Sequence, residues 1–257
     1  MLSKERRMKI HELIVTKGSI TTEELENLFN VSRMTIWRDL KILEEQGIIS
    51  RVHGGAMKIQ KGDPNEREFL RRRETASEEK RAISQYAAQN FIEPSDVIFL
   101  DGGTTVIEMI PHLTDQNLTL LTNGLNTLVL ASQYMPELNV IGCGGLLRIP
   151  SYNFVGPGAE ESFRQYKVNT AFISGTGFTL ENGVMDPHPL EMQIKRIACN
   201  NANKIVVLMD SKKYNKNSLS TCVTIEEIDV LITASNAPSE FINSVKKRGV
   251  DVRIVSL

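Results

Sequence analysis

ITTEELENLFNVSRMTIWRDL, residues 20–40, decides the first part of the fold. Thr21 or Thr22 is a fitting N-cap, and Glu24 stands where a capping-box partner of Thr21 belongs. Leu25, Leu28 and Phe29 then form the apolar face of a helix. FNVS at 29–32 reads as a turn, with Val31 directed inward and Ser32 capping the next helix. In that helix Ile36, Leu40 and Leu43 recur at i, i+4 and i+7 and face a core.

The flanks extend the pattern. Upstream, a helix starting at Ser3 buries Met8, Ile10, Leu13 and Ile14 and ends at KGS, 17–19. Downstream, QG at 46–47 stops the third helix, and GIISRVHGGAMKI alternates like a hairpin, with Ile49 and Val52 inward and Gly54–Gly55 at the tip. Helix, turn, helix and hairpin in this order predict a winged helix-turn-helix over residues 1–60, with the helix-turn-helix motif at about 20–39. Such a helix enters the major groove of double-stranded DNA by its N-terminal residues. Steps of about 100° per residue aim Met34, Arg38 and Lys41 away from the core and set Arg33, Thr35 and Trp37 on its flanks. Two arginines and a hydroxyl suit base edges. The helix start at Ser32 suits a phosphate, and Arg51 and His53 of the hairpin are within reach of the DNA backbone or minor groove. Trp37, the single tryptophan, has two readings: packing against the wing, or lying along a DNA backbone.

ERRMKIHELI, ITTEELENLFNVS and MTIWRDLKILEEQGIISRVHGGA resemble the N-terminal domain of the DeoR family of bacterial transcriptional regulators. The resemblance implies a TIxRDL recognition helix and an R-x-HGG wing. At Trp37 the chain departs from it, since the family usually carries arginine there.

Composition agrees with two kinds of domain. The 257 residues are 41% hydrophobic and 6% aromatic, as in globular proteins. Residues 1–73 hold 15 basic against 11 acidic side chains, a net of +4, while the remainder holds 15 against 20. A basic segment ahead of an acidic body points to a nucleic-acid module on a different domain. No apolar run approaches the roughly 18 residues of a membrane span, and the N-terminus lacks the apolar stretch of a signal peptide. Three scattered cysteines point to reduced thiols and a cytoplasmic location. The four histidines have no metal-ligand spacing, so neither metal nor cofactor is expected.

IQKGDPNEREFLRRRETASEEK, 59–80, is charged and broken by Gly62, Asp63 and Pro64, which places a boundary near 60–64. Residues 61–91 read as linker and connecting helix, polar from about 65 and amphipathic at Ile83, Tyr86, Ala87 and Phe91. Arg71–Arg73 read as a solvated linker face in preference to a DNA contact. Over 75–257 the rhythm is βα. DVIFL, LTLL, LNVIG, TAFIS, KIVVLM and DVLITAS are short apolar runs of a parallel sheet, whose ligand site lies at the strands' carboxyl ends.

Those ends carry DGGTT (101–105), TNG (122–124), CGGLL (143–147), GTGF (175–178) and DSKKY (210–214). Gly102 and Gly103 let backbone approach an anion, Thr104 and Thr105 add hydroxyls, and a helix from about 105 presents its N-terminus. There is no GK[ST] and no GxGxxG followed by a distant acid, which excludes the common nucleotide loops.

DGGTT, LTNG, VGPGA, SGTGF, EMQIKR and MDSKKY resemble, in order and spacing, the DeoR effector-binding domain, so the likeness spans residues 3–255. It implies an α/β domain resembling the ribose-5-phosphate isomerase fold and a phosphorylated-sugar effector. On that basis Asp101, Gly102, Gly103, Thr104 and Thr105 hold the phosphate. Thr122, Asn123, Gly124, Gly175, Thr176 and Gly177 form the rim, and Lys212 or Lys213 neutralises the charge. Glu191 and Lys195, four apart on a helix, either serve the site or pair with each other. A sugar-phosphate isomerase is the rival reading. Isomerisation needs carboxylates, and GTGFT has none where an isomerase carries a DGADE-like loop. The expectation is therefore a non-enzymatic repressor of carbohydrate utilisation, acting as a homodimer or homotetramer on operator DNA.

Overall fold

The computed structural model describes residues 3–45, 49–52, 54–58, 64–113, 117–134 and 138–257. They form two compact units divided at Pro64. His53 and the Gln46–Gly47 stop lie outside the described residues.

The first unit runs α1 (Ser3–Lys17), β1 (Ser19–Thr21), α2 (Thr22–Phe29), α3 (Arg33–Glu45), β2 (Ile49–Val52) and β3 (Gly55–Lys58). Thr21 caps α2 through the expected capping box, its hydroxyl accepting from the Glu24 amide while the Glu24 carboxylate accepts from the Thr21 amide. Ile10, Ile14, Leu25, Ile36, Leu40, Leu43 and Ile49 share one core. Three expectations fail. Met8 and Leu28 are 66% and 59% exposed, and Val52 points out of the hairpin. A three-helix core this small is filled by one residue per turn, leaving their stripe to solvent. The wing is also larger than a hairpin. β1 pairs antiparallel with β3, giving the order β1-β3-β2. Gly55 permits this, because a Cβ there would stand 2.4 Å from the Ile20 carbonyl oxygen.

The second unit begins with α4 (Pro64–Glu74) and α5 (Ser77–Asn90). These replace the single expected connecting helix. Ala76 between them adopts a left-handed conformation (φ 54°) and breaks the run. Next come β4 (Val97–Leu100), a 3-10 helix (Val106–His112), β5 (Leu118–Thr122), α6 (Leu125–Ala131), β6 (Leu138–Gly142), β7 (Leu146–Arg148), β8 (Asn153–Val155), α7 (Pro157–Arg164) and β9 (Val168–Ile173). The chain continues through β10 (Gly177–Thr179), β11 (Gly183–Asp186), α8 (Pro189–Asn200), β12 (Ala202–Met209), β13 (Ser220–Val223), β14 (Val230–Ala234), α9 (Ser239–Lys247) and β15 (Asp251–Val255).

Seven strands form a parallel sheet ordered β15-β14-β12-β9-β4-β5-β6. Side chains alternate across it. Phe99, Leu121, Ala171, Val207 and Leu231 pack on the face holding α7, α8 and α9. Ile98, Leu120, Phe172, Val206 and Ile232 pack on the other, with α5 and the 3-10 helix. β15 has no counterpart in the sequence reading, since DVRIV carries two charges on an edge strand and lacks the apolar run of a central one. The chain leaves β4 toward β5 and β6, then returns to β9 on the other side. This reversal makes β4/β9 the topological switch point, where open α/β sheets bind ligands.

Candidate functional site

α3 is fixed on its inner side by Ile36, Leu40 and Leu43. It is also fixed by a buried charge that the sequence reading did not single out. Asp39, 3% exposed, accepts from Arg6 Nε at 2.6 Å and Arg7 at 3.3 Å, both from α1. On the outer side Met34, Arg38 and Lys41 are exposed, as their angular positions predict, and Arg33 on the flank is exposed as well. Ser32 Oγ accepts from the Thr35 amide at 3.4 Å and lies 3.0 Å from its hydroxyl. Arg33 leans toward Glu26 at 3.9 Å while staying mostly in solvent. Arg51 is turned inward. Its Nε bonds Glu44 at 2.6 Å, and its guanidinium lies over the Trp37 ring. The pair is partly exposed and engages the Arg51 charge within the domain. The Arg51 hydrogen bonds hold the Glu44 carboxyl below the usual range.

The second site is a cleft of about 370 Å³ at the carboxyl ends of β4 and β9. Asp101, Gly102, Gly103, Thr104, Gly175, Thr176, Glu191, Lys195, Lys212 and Lys213 line it as a group, although they come from three separate loops and one helix. Gly102 is required there, since a Cβ would stand 1.9 Å from Asn153 Oδ1. Asp101 is fixed by its amide, which donates to the Phe172 carbonyl across the switch point.

Five expected residues stand back from the cleft. Thr122, Asn123 and Gly124 are buried behind DGGTT. The Thr122 hydroxyl donates to the Leu100 carbonyl at 2.7 Å and accepts from the Gly124 amide. A Cβ on Gly124 would meet Gly102 Cα at 2.8 Å, so TNG is the floor on which the phosphate-loop candidate rests. Thr105 is fully buried and accepts from Lys213 Nζ at 3.3 Å. Gly177 packs against the Lys216 carbonyl. The helix after DGGTT is a seven-residue 3-10 turn interrupted by Pro111, too short to supply a strong dipole.

Cations dominate the lining: Arg71, Arg72, Lys80, Lys195, Lys212, Lys213 and Lys216 face four carboxylates. Lys195, from α8, bridges Asp101 (2.9 Å) and Asp186, and donates to the Ser174 carbonyl. Burial alone would push its pKa down, but the two carboxylates outweigh that and hold it well above the ordinary value. Glu191 instead accepts from Arg148 at 2.7 Å and from Asn153. The two residues four apart thus serve different partners, because α8 points both into a lining already rich in opposite charge. Lys213 reaches Ser174 Oγ at 3.0 Å and Asp210 at 3.2 Å. Glu79 of α5 clamps the lysine loop, accepting from Ser211 and Asn236. Lys80, also on α5, donates to Thr104 Oγ and to the Arg72 carbonyl. Burial, then Lys213, lowers its pKa to about 8.

The structure corrects two expectations here. Arg71 and Arg72 line the cleft, and Arg73 pairs with Glu108 at 2.7 Å, so the arginine run is not a solvated face. Nor is the cleft poor in acids. GTGFT lacks a carboxylate, but the adjoining strand β11 brings Asp186 to the same place, and Asp186 accepts from the Thr176 amide at 2.9 Å. Each acid except Asp210 is engaged by a cation or amide at 2.9 Å or closer. Among the described residues no group of His, Cys, Asp and Glu is placed to hold a metal ion, and no helix is long and apolar enough to cross a membrane.

Comparison with known proteins follows this division. Residues 6–61 match the DeoR-like helix-turn-helix domain and residues 75–235 the DeoR C terminal sensor domain. The uncharacterized HTH-type transcriptional regulator YulB of Bacillus subtilis is 34% identical over 257 residues, covering 100% of this chain and 98% of that protein. A putative aga operon transcriptional repressor of Escherichia coli O157:H7 is 30% identical over 98% of this chain and 93% of its own length. A solved ribose 5-phosphate isomerase A from Methanocaldococcus jannaschii aligns with 52% of this chain and 53% of its own at 20% identity, TM-score 0.39. The chain belongs to the DeoR family: it is a DNA-binding transcriptional regulator, not an enzyme, with a winged helix-turn-helix ahead of an α/β sensor domain.

Proposed function

We propose that the protein represses genes of carbohydrate utilisation and leaves its operator when a phosphorylated sugar occupies the β4/β9 cleft. The observation that carries the reading is the surplus of cations over carboxylates in a cleft at the switch point. Like charges held this close favour an anion, and Lys80, Lys213 and the Gly102–Gly103 backbone supply the donors a phosphate needs. Asp101, Asp186 and Glu191 can accept from sugar hydroxyls. The names of two relatives as transcriptional repressors, one of them putative, support the sign. The recognition helix supplies Arg33, Thr35 and Arg38 to the operator. One small module gives limited specificity, so the regulator acts as a homodimer or homotetramer on repeated half-sites, in the cytoplasm and without a cofactor.

Release follows if the ligand binds more tightly to the state with low DNA affinity. Titrating operator DNA against the protein with a panel of sugar phosphates tests this. One of them is expected to weaken DNA binding at least tenfold, and a panel without any effect overturns the reading.

A further inference from the structure

We infer that α4 is a wall of the anion site: Arg71, Arg72 and Thr75 grip the bound phosphorylated ligand, which makes the helix that opens the second unit part of the sensor. The inference rests on the reading of the cleft as an anion site, and Arg71 and Arg72 lie outside both family matches, the first of which ends at 61 while the second begins at Thr75.

Three consecutive arginines on a helix spread over about 200°, so they cannot share one role. Arg73 turns to Glu108 on the 3-10 helix, whereas Arg71 and Arg72 turn into the cleft opposite Gly102, Gly103 and Thr104. Arg72 Nε is buried without a hydrogen-bond acceptor. A desolvated guanidinium N–H is costly to leave unpaired, and a phosphate oxygen would complete it in bidentate geometry.

α4 is lightly held. Phe69 inserts into the core beside Tyr152, Arg73 makes one ion pair, and the Arg72 carbonyl accepts from Lys80. Beyond it the chain turns through Ala76 in the left-handed region, a conformation that a residue with a Cβ keeps only when its surroundings enforce it. Lys80, Lys213 and Arg72 repel one another across the cleft. An anion replaces that repulsion with attraction on both walls and draws α4 onto the sheet. Ligand occupancy is thereby read directly by α4.

The test uses the full chain and inorganic phosphate, followed by calorimetry and by hydrogen exchange of the amides of residues 66–76. In the wild type phosphate binds and slows exchange in α4. The double variant Arg71→Ala/Arg72→Ala is expected to bind at least tenfold more weakly with an unchanged circular dichroism spectrum. If it misfolds, Arg72→Gln alone carries the test with the same expectation. Lys213→Met, on the opposite wall, also loses phosphate. Wild-type affinity in the α4 variants beside a loss in Lys213→Met overturns the inference and leaves the cleft as the anion site. Phosphate binding without slowed α4 exchange does the same. Failure of the wild type to bind phosphate or any sugar phosphate overturns both.

Discussion

The Arg51 guanidinium carbon of β2 stands 5.1 Å from the centroid of the Trp37 ring on α3, and Lys41 Nζ stands 5.5 Å from it. The tryptophan therefore packs toward the wing while remaining 46% exposed. It takes the place of the family's usual arginine by accepting two cations instead of adding a third. Such contacts contribute about 0.5–1 kcal/mol each at exposed positions. Trp37→Arg is expected to lower stability by about 1 kcal/mol, read as a fall in the denaturation midpoint of the N-terminal domain. Unchanged stability with tighter DNA binding would assign the ring to the DNA backbone.

Asp39 joins α3 to α1 through Arg6 and Arg7. Removing one partner of a buried pair leaves the other charge uncompensated, at about 3–5 kcal/mol. Asp39→Ala should unfold the N-terminal domain at temperatures the wild type withstands and abolish DNA binding, while the sensor domain still melts normally. Calorimetry of the full chain separates the two transitions.

Arg38 is exposed on the outer face of α3 with Met34 and Lys41. If it reads a base edge, Arg38→Ala weakens operator binding by about 1–3 kcal/mol and leaves non-specific binding nearly unchanged. A uniform loss across all DNA sequences would make it a phosphate contact.

How far each site is legible in sequence follows from the range of its interactions. The capping box at Thr21 and Glu24 and the Ile36–Leu40–Leu43 stripe are local, so spacing alone reveals them. Strand-end loops such as DGGTT stand out because a parallel sheet must bring its carboxyl ends to one edge. Asp186 is different: it enters through the antiparallel pairing of β10 with β11, and although Asn182–Gly183 signals the hairpin turn, nothing in the sequence aims that hairpin at the cleft. Arg71 and Arg72 look like any charged linker until Ala76 breaks the helix and folds α4 against the cleft. TNG lies behind the cleft for a related reason. Its glycine serves close packing against Gly102, and sequence alone does not separate that need from ligand access.

Lys195 holds two buried carboxylates, Asp101 and Asp186. In Lys195→Met both lose their cation, with an expected cost of about 3–5 kcal/mol near neutral pH. Burial already pushes the Asp101 carboxyl up, so without the lysine it takes up a proton more readily still. The loss should therefore shrink as pH falls toward 5, where protonation removes the buried charge. A deficit equal at pH 5 and pH 8 in denaturant melts would show that the lysine serves packing alone.

Lys80 makes the sensor sensitive to mildly alkaline pH. Its folded pKa is about 8, below the ordinary 10.5. Burial is the main cause, and the facing groups are Lys213 and Asp210 on the lysine loop, Arg72 on α4 and Glu108 on the 3-10 helix. Between those two values the unfolded chain holds a proton that the folded chain releases, so stability rises with pH across this window and is flat above it. At about 1.4 kcal/mol per unit the gain is at most roughly 3 kcal/mol. Anion binding has the opposite sign. A phosphate monoester, already doubly charged above pH 7, draws a proton onto Lys80, so binding takes up that proton. Affinity should hold steady below pH 8 and fall above it, by up to about tenfold per unit. Lys80→Met removes the charge and the slope together: weaker binding at pH 7, a flat profile from pH 7.5 to 9.5, and a protein at least as stable as the wild type at pH 7. A variant that kept the slope would place the titrating group elsewhere in the cleft.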